Sequence, residues 1–413
     1  MIPGSKSLSN RILLLAALAK GTTVIENLLD ADDIHVMLEA LTKLGVRVEY
    51  EPKSRSCTVY GNGGPFRTDG MELFLGNAGT AMRPLAAVLS AGAGTYRLYG
   101  EPRMHERPIG HLVDGLRSIG ADIRYEGKAG YPPLSIHAKT LVGGDCIIDA
   151  SVSSQFLSAM LLAAPLAGHA TTIGLSGELV SGPYVDMTIN LMHRFGIQVK
   201  RDSINRYEVP GGLPYCSPGY ALVEGDASSA SYFLAAGAIR GGTVTVHGVG
   251  KDSVQGDVQF ADVLERMGAI VRRGDSWIEV TRGKLRGISV DATEFPDAAM
   301  TLATTALFAE GATEIRGIAN WRVKETDRLA AMATELGKVG AGIKAGDDFI
   351  TIDPPPKLLP ATIETYKDHR MAMCFSLAAL GESPMTILDP YVTSKTFPNY
   401  FSQFLMLTGA IPA

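Results

Sequence analysis

Cysteine is scarce in this sequence of 413 residues: there are four, Cys57, Cys146, Cys216 and Cys374, and no two stand as a CxxC pair. That spacing argues against both a disulfide framework and a zinc cluster, and it suits a reducing compartment. An excess of positive charge is also missing. Lys and Arg total 38 against 43 Asp and Glu, for a formal charge of -5. The chain as a whole therefore has no attraction for nucleic acid or an anionic membrane, and any anion site must be local. Long apolar runs are lacking too. Ile12 to Ala19 is too short to cross a bilayer and the Ala-rich stretch from Phe156 is broken by Pro165, so no membrane segment is expected. Lys6 and Arg11 lead into an apolar stretch without a cleavage signature, and neither a signal peptide nor a plastid transit peptide is expected.

What is present is an ordinary globular composition, 46% hydrophobic, long enough for two or three domains. One pattern recurs six times: an amphipathic helical stretch, an apolar or small residue, Gly, then Ala, Val or Ile. The copies are Leu44-Gly45-Val46, Ile119-Gly120-Ala121, Phe195-Gly196-Ile197, Met267-Gly268-Ala269, Val339-Gly340-Ala341 and Thr408-Gly409-Ala410. They return about every seventy residues, too regularly for scattered helix ends. Gly belongs just past a helix C-terminus because it takes the left-handed conformation without a Cβ penalty. Between these copies lies a second marker, an Ala- and Leu-rich helix followed by a small turn and a Thr-bearing strand, as at Gly21-Thr22-Thr23-Val24 and Gly242-Thr243-Val244. Each unit reads as strand, apolar helix, strand, amphipathic helix, strand, strand, an α/β pattern. Six such units imply a duplicated assembly, and periodicity alone leaves open three plus three or one ring. Val223-Glu224-Gly225-Asp226, after the Pro- and Gly-rich stretch from Pro210 to Tyr220, is the best central boundary.

Polar residues cluster where apolar helices should begin. Pro3-Gly4-Ser5-Lys6-Ser7-Leu8-Ser9-Asn10-Arg11 precedes the helical run Ile12 to Lys20, and its hydroxyls and cations make either an anion cradle or a Ser-rich cap with solvated charges. It is not a P-loop, because GxxxxGK[ST] is absent. Leu75-Gly76-Asn77-Ala78-Gly79-Thr80-Ala81-Met82-Arg83-Pro84 lets backbone amides approach a ligand, or simply turns into a helix. Two arginines, Arg103 and Arg107, sit in the loop before a helix from Ile109, and Ser151-Val152-Ser153-Ser154-Gln155 opens another helix as a ligand site or an elaborate cap. In the second half, a helix starting at Thr326 would gather Lys324, Glu325 and Arg328 at its positive end, where a carboxylate among cations could move protons, or form a surface ion-pair network. Tyr366-Lys367-Asp368-His369-Arg370 and Thr393-Ser394-Lys395-Thr396 add further charge at helix starts. Together these favour a cleft between two lobes for a multiply charged small molecule.

The strings PGSKSLSNR, LFLGNAGTAMRPL, GEPRMHERPIG, VSSQFL, EGDASSASYF, NWRVKETDRL, YKDHRMAM and SKTFPNY, in this order and spacing, resemble the EPSP synthase family over essentially the full chain. The resemblance implies an α/β fold of two lobes, each an inside-out α/β barrel of three repeated βαβαββ units with pseudo-threefold symmetry. Residues 5–223 would form the first lobe, binding shikimate 3-phosphate. Residues 1–4 and 224–413 would form the second, contributing phosphoenolpyruvate-binding and catalytic residues, with the active site in the inter-lobe cleft. Carried over by motif position, shikimate 3-phosphate should meet Lys6, Ser7, Arg11, Ser153, Ser154, Gln155, Ser181, Tyr184, Asp297, Asn320 and Lys324. Phosphoenolpyruvate should meet Lys6, Asn77, Gly79, Arg107, Gln155, Arg328, Arg370 and Lys395.

The implied reaction moves the enolpyruvyl group to the 5-hydroxyl by addition and elimination, as a step of aromatic amino acid biosynthesis. Asp297, Glu325, Lys395 and Lys6 are the catalytic candidates, and no metal or organic cofactor is expected. Glyphosate is an expected inhibitor, and a monomer in the cytoplasm is expected. Family members usually carry a further segment before PGSKS that adds a strand to the second lobe, so that lobe is expected to lack a strand here. The related transferase acting on UDP-N-acetylglucosamine typically has a Cys in the loop matching Met104 to Arg107, where this sequence has none. An inactive anion-binding relative is a reading of a different class, against which Lys6, Asp297, Glu325 and Lys395 weigh.

Overall fold

Helices apolar on every side must be surrounded, and the sequence supplies six of them. ILLLAAL within Lys6–Leu18, LAAVLS within Gly79–Ser90 and FLSAMLLA within Ser154–Ala163 are buried along almost their whole length. The helices Ala227–Arg240, Ala298–Thr305 and His369–Ser376 repeat the pattern later in the chain. Amphipathic helices alternate with them, among them Asp32–Lys43, Gly110–Ser118, Pro183–Arg194, Phe260–Met267 and Arg328–Lys338. Each covers the apolar set with one face and leaves the other to water.

The computed structural model describes residues 1–203 and 206–409, and the chain divides into two units, Ser5–Val223 and Met1–Gly4 with Glu224–Ala413. The first unit has three four-stranded sheets. In one, Thr22–Glu26 pairs parallel with Tyr220–Leu222 and antiparallel with Ser56–Tyr60, which pairs in turn with Arg47–Glu51. In the next, Met71–Phe74 runs parallel to Gly94–Tyr99, followed by Leu134–Ala138 and Asp122–Tyr125. The third repeats this with Gly144–Asp149, Thr171–Ser176, Arg206–Val209 and Lys200–Ser203. Strict alternation of exposed and buried residues in Thr22–Glu26 marks a sheet with one face on the core and one in solvent.

In the second unit the sheet Ser289–Asp291, Thr313–Arg316, Phe349–Asp353, Gly342–Ala345 keeps the same order. Its neighbours are smaller among the described residues: Thr243–His247, Trp277–Thr281 and Ile270–Arg273 make three strands, and Ala361–Ile363 with Met385–Ile387 make two. The six-element order therefore runs without interruption in the second, third and fifth copies. In the first, the leading strand comes instead from the far end of the unit. All six repeat glycines are left-handed, with φ from 63° to 114°; Ala410 of the sixth copy lies outside the described residues. Ile2 is buried, its N–H bonds to the His247 carbonyl, and Gly4 bridges Gly225, which ties the first four residues to the second unit.

Candidate active site

In the first unit the polar clusters lie at the starts of the three apolar helices, with one shift from expectation. The first helix begins at Lys6, not near Ile12, so Ser7, Asn10 and Arg11 are helical residues, and the side chains of Asn10 and Arg11 bond to neighbouring elements. Ser9 Oγ accepts the Leu29 N–H at 3.3 Å and Asn10 donates to Thr80 Oγ1 at 2.7 Å. Arg11 donates to Thr188 Oγ1 at 2.8 Å and to the Ser7 carbonyl at 3.0 Å, with Ser158 and the Tyr184 carbonyl at 3.5 Å. Burial pulls its guanidinium down to about 10, against the opposing effect of Tyr184. Lys6 Nζ lies 3.3 Å from Asp33, and both side chains are nearly covered.

Gly79 opens the second helix. A Cβ there would overlap Arg83 Nη1 and come within 2.9 Å of Arg107 Nη2, so the residue is small because two guanidinium groups press against it. Arg107, which follows the 3-10 turn Pro102–Glu106, is buried and donates to both the carbonyl and Oδ1 of Asn77 at 2.9 and 2.8 Å. Arg103 of the same loop pairs with Glu106 instead. Arg83 donates to Gln155 Oε1 and the Pro108 carbonyl, each at 3.0 Å. Ser153 caps the third helix by accepting the Gln155 N–H at 3.2 Å; Ser154 is buried beside it. Ser181, at φ 57°, is buried at the turn that leads through Gly182 into the helix carrying Tyr184. Lys6, Arg11, Arg83 and Arg107 thus bring four cations to the helix starts of this unit, with Lys6 on Asp33 and Arg83 on Gln155. Guanidinium and ammonium groups are the side chains that bind carboxylate and phosphate.

The second unit is organised differently. Arg328 is only 1% exposed and donates to three carboxylates: Asp297 at 2.8 Å, Glu325 at 2.8 Å and Asp368 at 2.7 Å. Arg370 donates to Asp297 Oδ2 at 2.9 Å and to the Tyr232 hydroxyl at 3.1 Å, and Lys324 Nζ stands 3.9 Å from Asp297. The helix start expected at Thr326 falls at Arg328, because Asp327 is the cap, its carboxylate accepting the Ala330 N–H. That displacement makes Arg328 the first helical residue. Trp321, fully buried, donates to the Pro296 carbonyl at 2.7 Å, fixing the 3-10 turn Ala319–Val323, with Asn320, against the residues just before Asp297. Lys395 is half-buried and ends the 3-10 turn Pro390–Lys395.

Burial raises the Asp297 carboxyl, yet Arg370, Lys324 and Arg328 outweigh it and hold the group well below the usual carboxylate range. Burial pulls Arg328 down, but Asp368, Glu325 and Asp297 keep it above its ordinary value. Behind Asp297 lies Asp257, which accepts from the Ser228 hydroxyl and from the Ala298 N–H at 3.1 Å. Burial, with the charge on Asp297, pushes it up to about 6. In this unit Arg328 and Arg370 are both held by carboxylates, so a ligand anion that binds either arginine competes with an acid for it. Sequence reasoning missed Asp33, Ser158, Thr188, Tyr232 and Asp257. It noted Arg83 only as an Arg to hold charge, and Asp368 as an acid at a helix start without a further role. Nothing but burial marks the first five, although Asp33 has a signal in its place at the start of a helix.

The family model for EPSP synthase (3-phosphoshikimate 1-carboxyvinyltransferase) matches residues 1–404. Proteins named 3-phosphoshikimate 1-carboxyvinyltransferase are similar throughout. That of Marinomonas sp. (strain MWYL1) is 61% identical over 403 residues, covering 98% of this chain and 95% of the relative. That of Vibrio cholerae is 60% identical over 408 residues, covering 98% and 96%. Among solved structures, an EPSP synthase from Acinetobacter baumannii superposes with a TM-score of 0.82 at 29% identity, covering 99% of this chain and 94% of the other. The enolpyruvyl transferase NikO from Streptomyces tendae, at 20% identity and a TM-score of 0.79 over 99% and 94%, speaks to the fold alone.

Proposed function

We infer, from the premise that the chain belongs to the EPSP synthase family, that it moves the enolpyruvyl group of phosphoenolpyruvate to the 5-hydroxyl of shikimate 3-phosphate and releases phosphate. The observation that carries this is the family match over residues 1–404, which runs through every polar helix start described above. The protein is a transferase of the shikimate pathway.

The substrates bring two phosphates and two carboxylates, about six negative charges, whose mutual repulsion needs cations in a site poor in water. In our reading Lys6, Arg11 and Arg107 of the first unit meet part of that charge. The phosphate of shikimate 3-phosphate goes to Ser153, Ser154, Ser181 and Lys6, and its ring, hydroxyls and carboxylate to Ser7, Arg11, Gln155 and Tyr184, with Asp297, Asn320 and Lys324 from the second unit. Phosphoenolpyruvate takes Lys6, Asn77, Gly79, Arg107 and Gln155 together with Arg328, Arg370 and Lys395.

The carboxylates around Arg328 and Arg370 then have a use. When phosphoenolpyruvate draws Arg328 and Arg370 to its own oxygens, Asp297 loses two of the cations that hold its carboxyl down and takes a proton more readily. Asp297 receives or orients the proton of the attacking 5-hydroxyl as that oxygen bonds to the enol carbon. Glu325 and Lys395 handle the proton that joins the methylene carbon and leaves again as the C–O bond to phosphate breaks. Glyphosate is read as a competitor for the place of phosphoenolpyruvate, next to Gly79. A cytoplasmic monomer completes the proposal, for which sedimentation and cell fractionation are the checks.

The function is tested by incubating the protein with both substrates, omitting each in turn, and following phosphate release and product mass. Release requiring both, with the enolpyruvyl ether formed, is the expected result. No product from a folded, ligand-binding protein would overturn the assignment.

A further inference from the structure

One buried carboxylate lies outside the site just described. Glu335, on the helix Arg328–Lys338, has no exposed side-chain surface. It accepts from Lys338 Nζ at 2.8 Å, from the Tyr366 hydroxyl at 2.6 Å and from the Glu364 N–H at 3.2 Å. Two of these donors belong to a single short turn, in which Tyr366 and Lys367 have left-handed backbones at φ 52° and 56°. Residues with a Cβ avoid that conformation, and two in succession persist only when their surroundings hold them there. Burial, and then the bond to Glu335, raise the Tyr366 phenol to about 12, so it remains a donor at neutral pH.

The turn ends at Asp368, which receives Arg328 Nε at 2.7 Å and caps the helix carrying Arg370 by accepting its N–H at 2.9 Å. Helix and turn are therefore joined twice, once at the helix's first residue through Arg328 and Asp368, and again about two turns later through Glu335. Without the second joint, the turn keeps only the bond from the Asp368 N–H to the Thr365 carbonyl at 2.8 Å and the contact with Arg328 against its unfavourable backbone, and its next residues place Asp368 and Arg370.

We propose that Glu335 is a positioning residue for Arg328 and Arg370, acting by holding the left-handed Tyr366–Lys367 turn against the helix that begins at Arg328. The inference rests on reading those two arginines as ligands of phosphoenolpyruvate.

The test measures KM for each substrate, and the thermal midpoint, in E335A, K367G, the double variant E335A/K367G, and R370A. E335A is expected to raise the KM for phosphoenolpyruvate about tenfold and to leave that for shikimate 3-phosphate within about twofold. Lys367 is exposed and glycine takes a left-handed backbone freely. K367G alone should therefore behave like the parent, and in the double variant it should recover most of the loss. A lower midpoint with an unchanged KM for phosphoenolpyruvate, equal rises in both KM values, or no recovery in the double variant would each overturn the inference. R370A separates the two readings: if it leaves the KM for phosphoenolpyruvate unchanged, the assignment of the arginines fails. If R370A raises that KM and E335A does not, only the role of Glu335 fails. Should E335A not fold, Y366F removes one of the joints and keeps the ring. It is expected to raise the same KM about threefold, and a parental value would overturn the inference.

Discussion

Replacing Arg328 by Met keeps the reach of the side chain and removes its charge, which leaves Asp297, Glu325 and Asp368 facing one another without the group all three share. Arg328 is almost wholly buried, so water cannot take its place. Removing one partner of a buried ion pair costs about 3–5 kcal/mol, chiefly because the stranded charge stays behind. For a unit of this size each kcal/mol moves the midpoint by about 2–4 °C, so the transition of the second unit should fall by roughly 6–20 °C near pH 7.5.

The pH dependence separates charge from packing. In the parent, Asp297 is depressed by Arg370, Lys324 and Arg328 against the effect of burial. Its contribution is therefore complete above the ordinary carboxylate pKa of about 4 and is lost only as pH falls below that. The parent should then be flat in this respect between pH 5 and 8. In R328M Asp297 keeps Arg370 and Lys324 but loses one of the three cations that hold it down, so the cluster takes up a proton at higher pH than in the parent, which relieves the repulsion. The gap between parent and variant should consequently shrink from pH 8 to pH 5. Scanning calorimetry at pH 8, 6.5 and 5 makes the comparison, and a gap that is constant, or that widens toward pH 5, refutes the reasoning.

Glu325→Gln should lower kcat by about 10²- to 10⁴-fold with much smaller changes in ligand binding, as steady-state kinetics would show; a full-rate variant removes Glu325 from proton transfer. Gly79→Ala forces Arg83 and Arg107 aside and should weaken glyphosate by about tenfold or more while phosphoenolpyruvate loses less; equal losses in inhibition and binding assays would contradict the geometry. Asp257 works in the opposite sense to Asp297. Its folded pKa of about 6 lies above the unfolded value of about 4, so the destabilisation it causes grows as pH rises through that interval and is full above it. D257N retains an acceptor for the Ala298 N–H and should gain on the parent by up to about 3 kcal/mol between pH 4 and 7. A pH-independent difference in thermal midpoint would refute that.

The repeat was readable because it depends on local chemistry. A glycine past each amphipathic helix must be left-handed, and Gly45, Gly120, Gly196, Gly268, Gly340 and Gly409 are. Helix starts were readable for the same reason, within a few residues: Ser153 and Asp368 cap where hydroxyl and carboxylate chemistry puts them. Asp327 displaced Thr326 because a carboxylate caps as well and stands one residue nearer the apolar run. Partners distant along the chain were not readable. Nothing in the order of residues says that Arg83 meets Gln155, that Arg370 reaches Tyr232, or that Asp257 joins the starts of two helices through Ser228 and Ala298. Those meetings follow from which apolar helices stack, and apolar helices carry no label for their neighbours.

Both units borrow a strand or segment from far along the chain, and this has a consequence for synthesis. Thr22–Glu26 finds its parallel partner only at Tyr220–Leu222, so the first unit cannot close its sheet until nearly all of it has been made. The first four residues wait longer still, because Gly4 and Ile2 dock on Gly225 and His247. During translation residues 1–4 are made long before Gly225 and His247, and they find their places among the last. Contacts so far apart slow folding and lengthen exposure of the apolar helices to other chains.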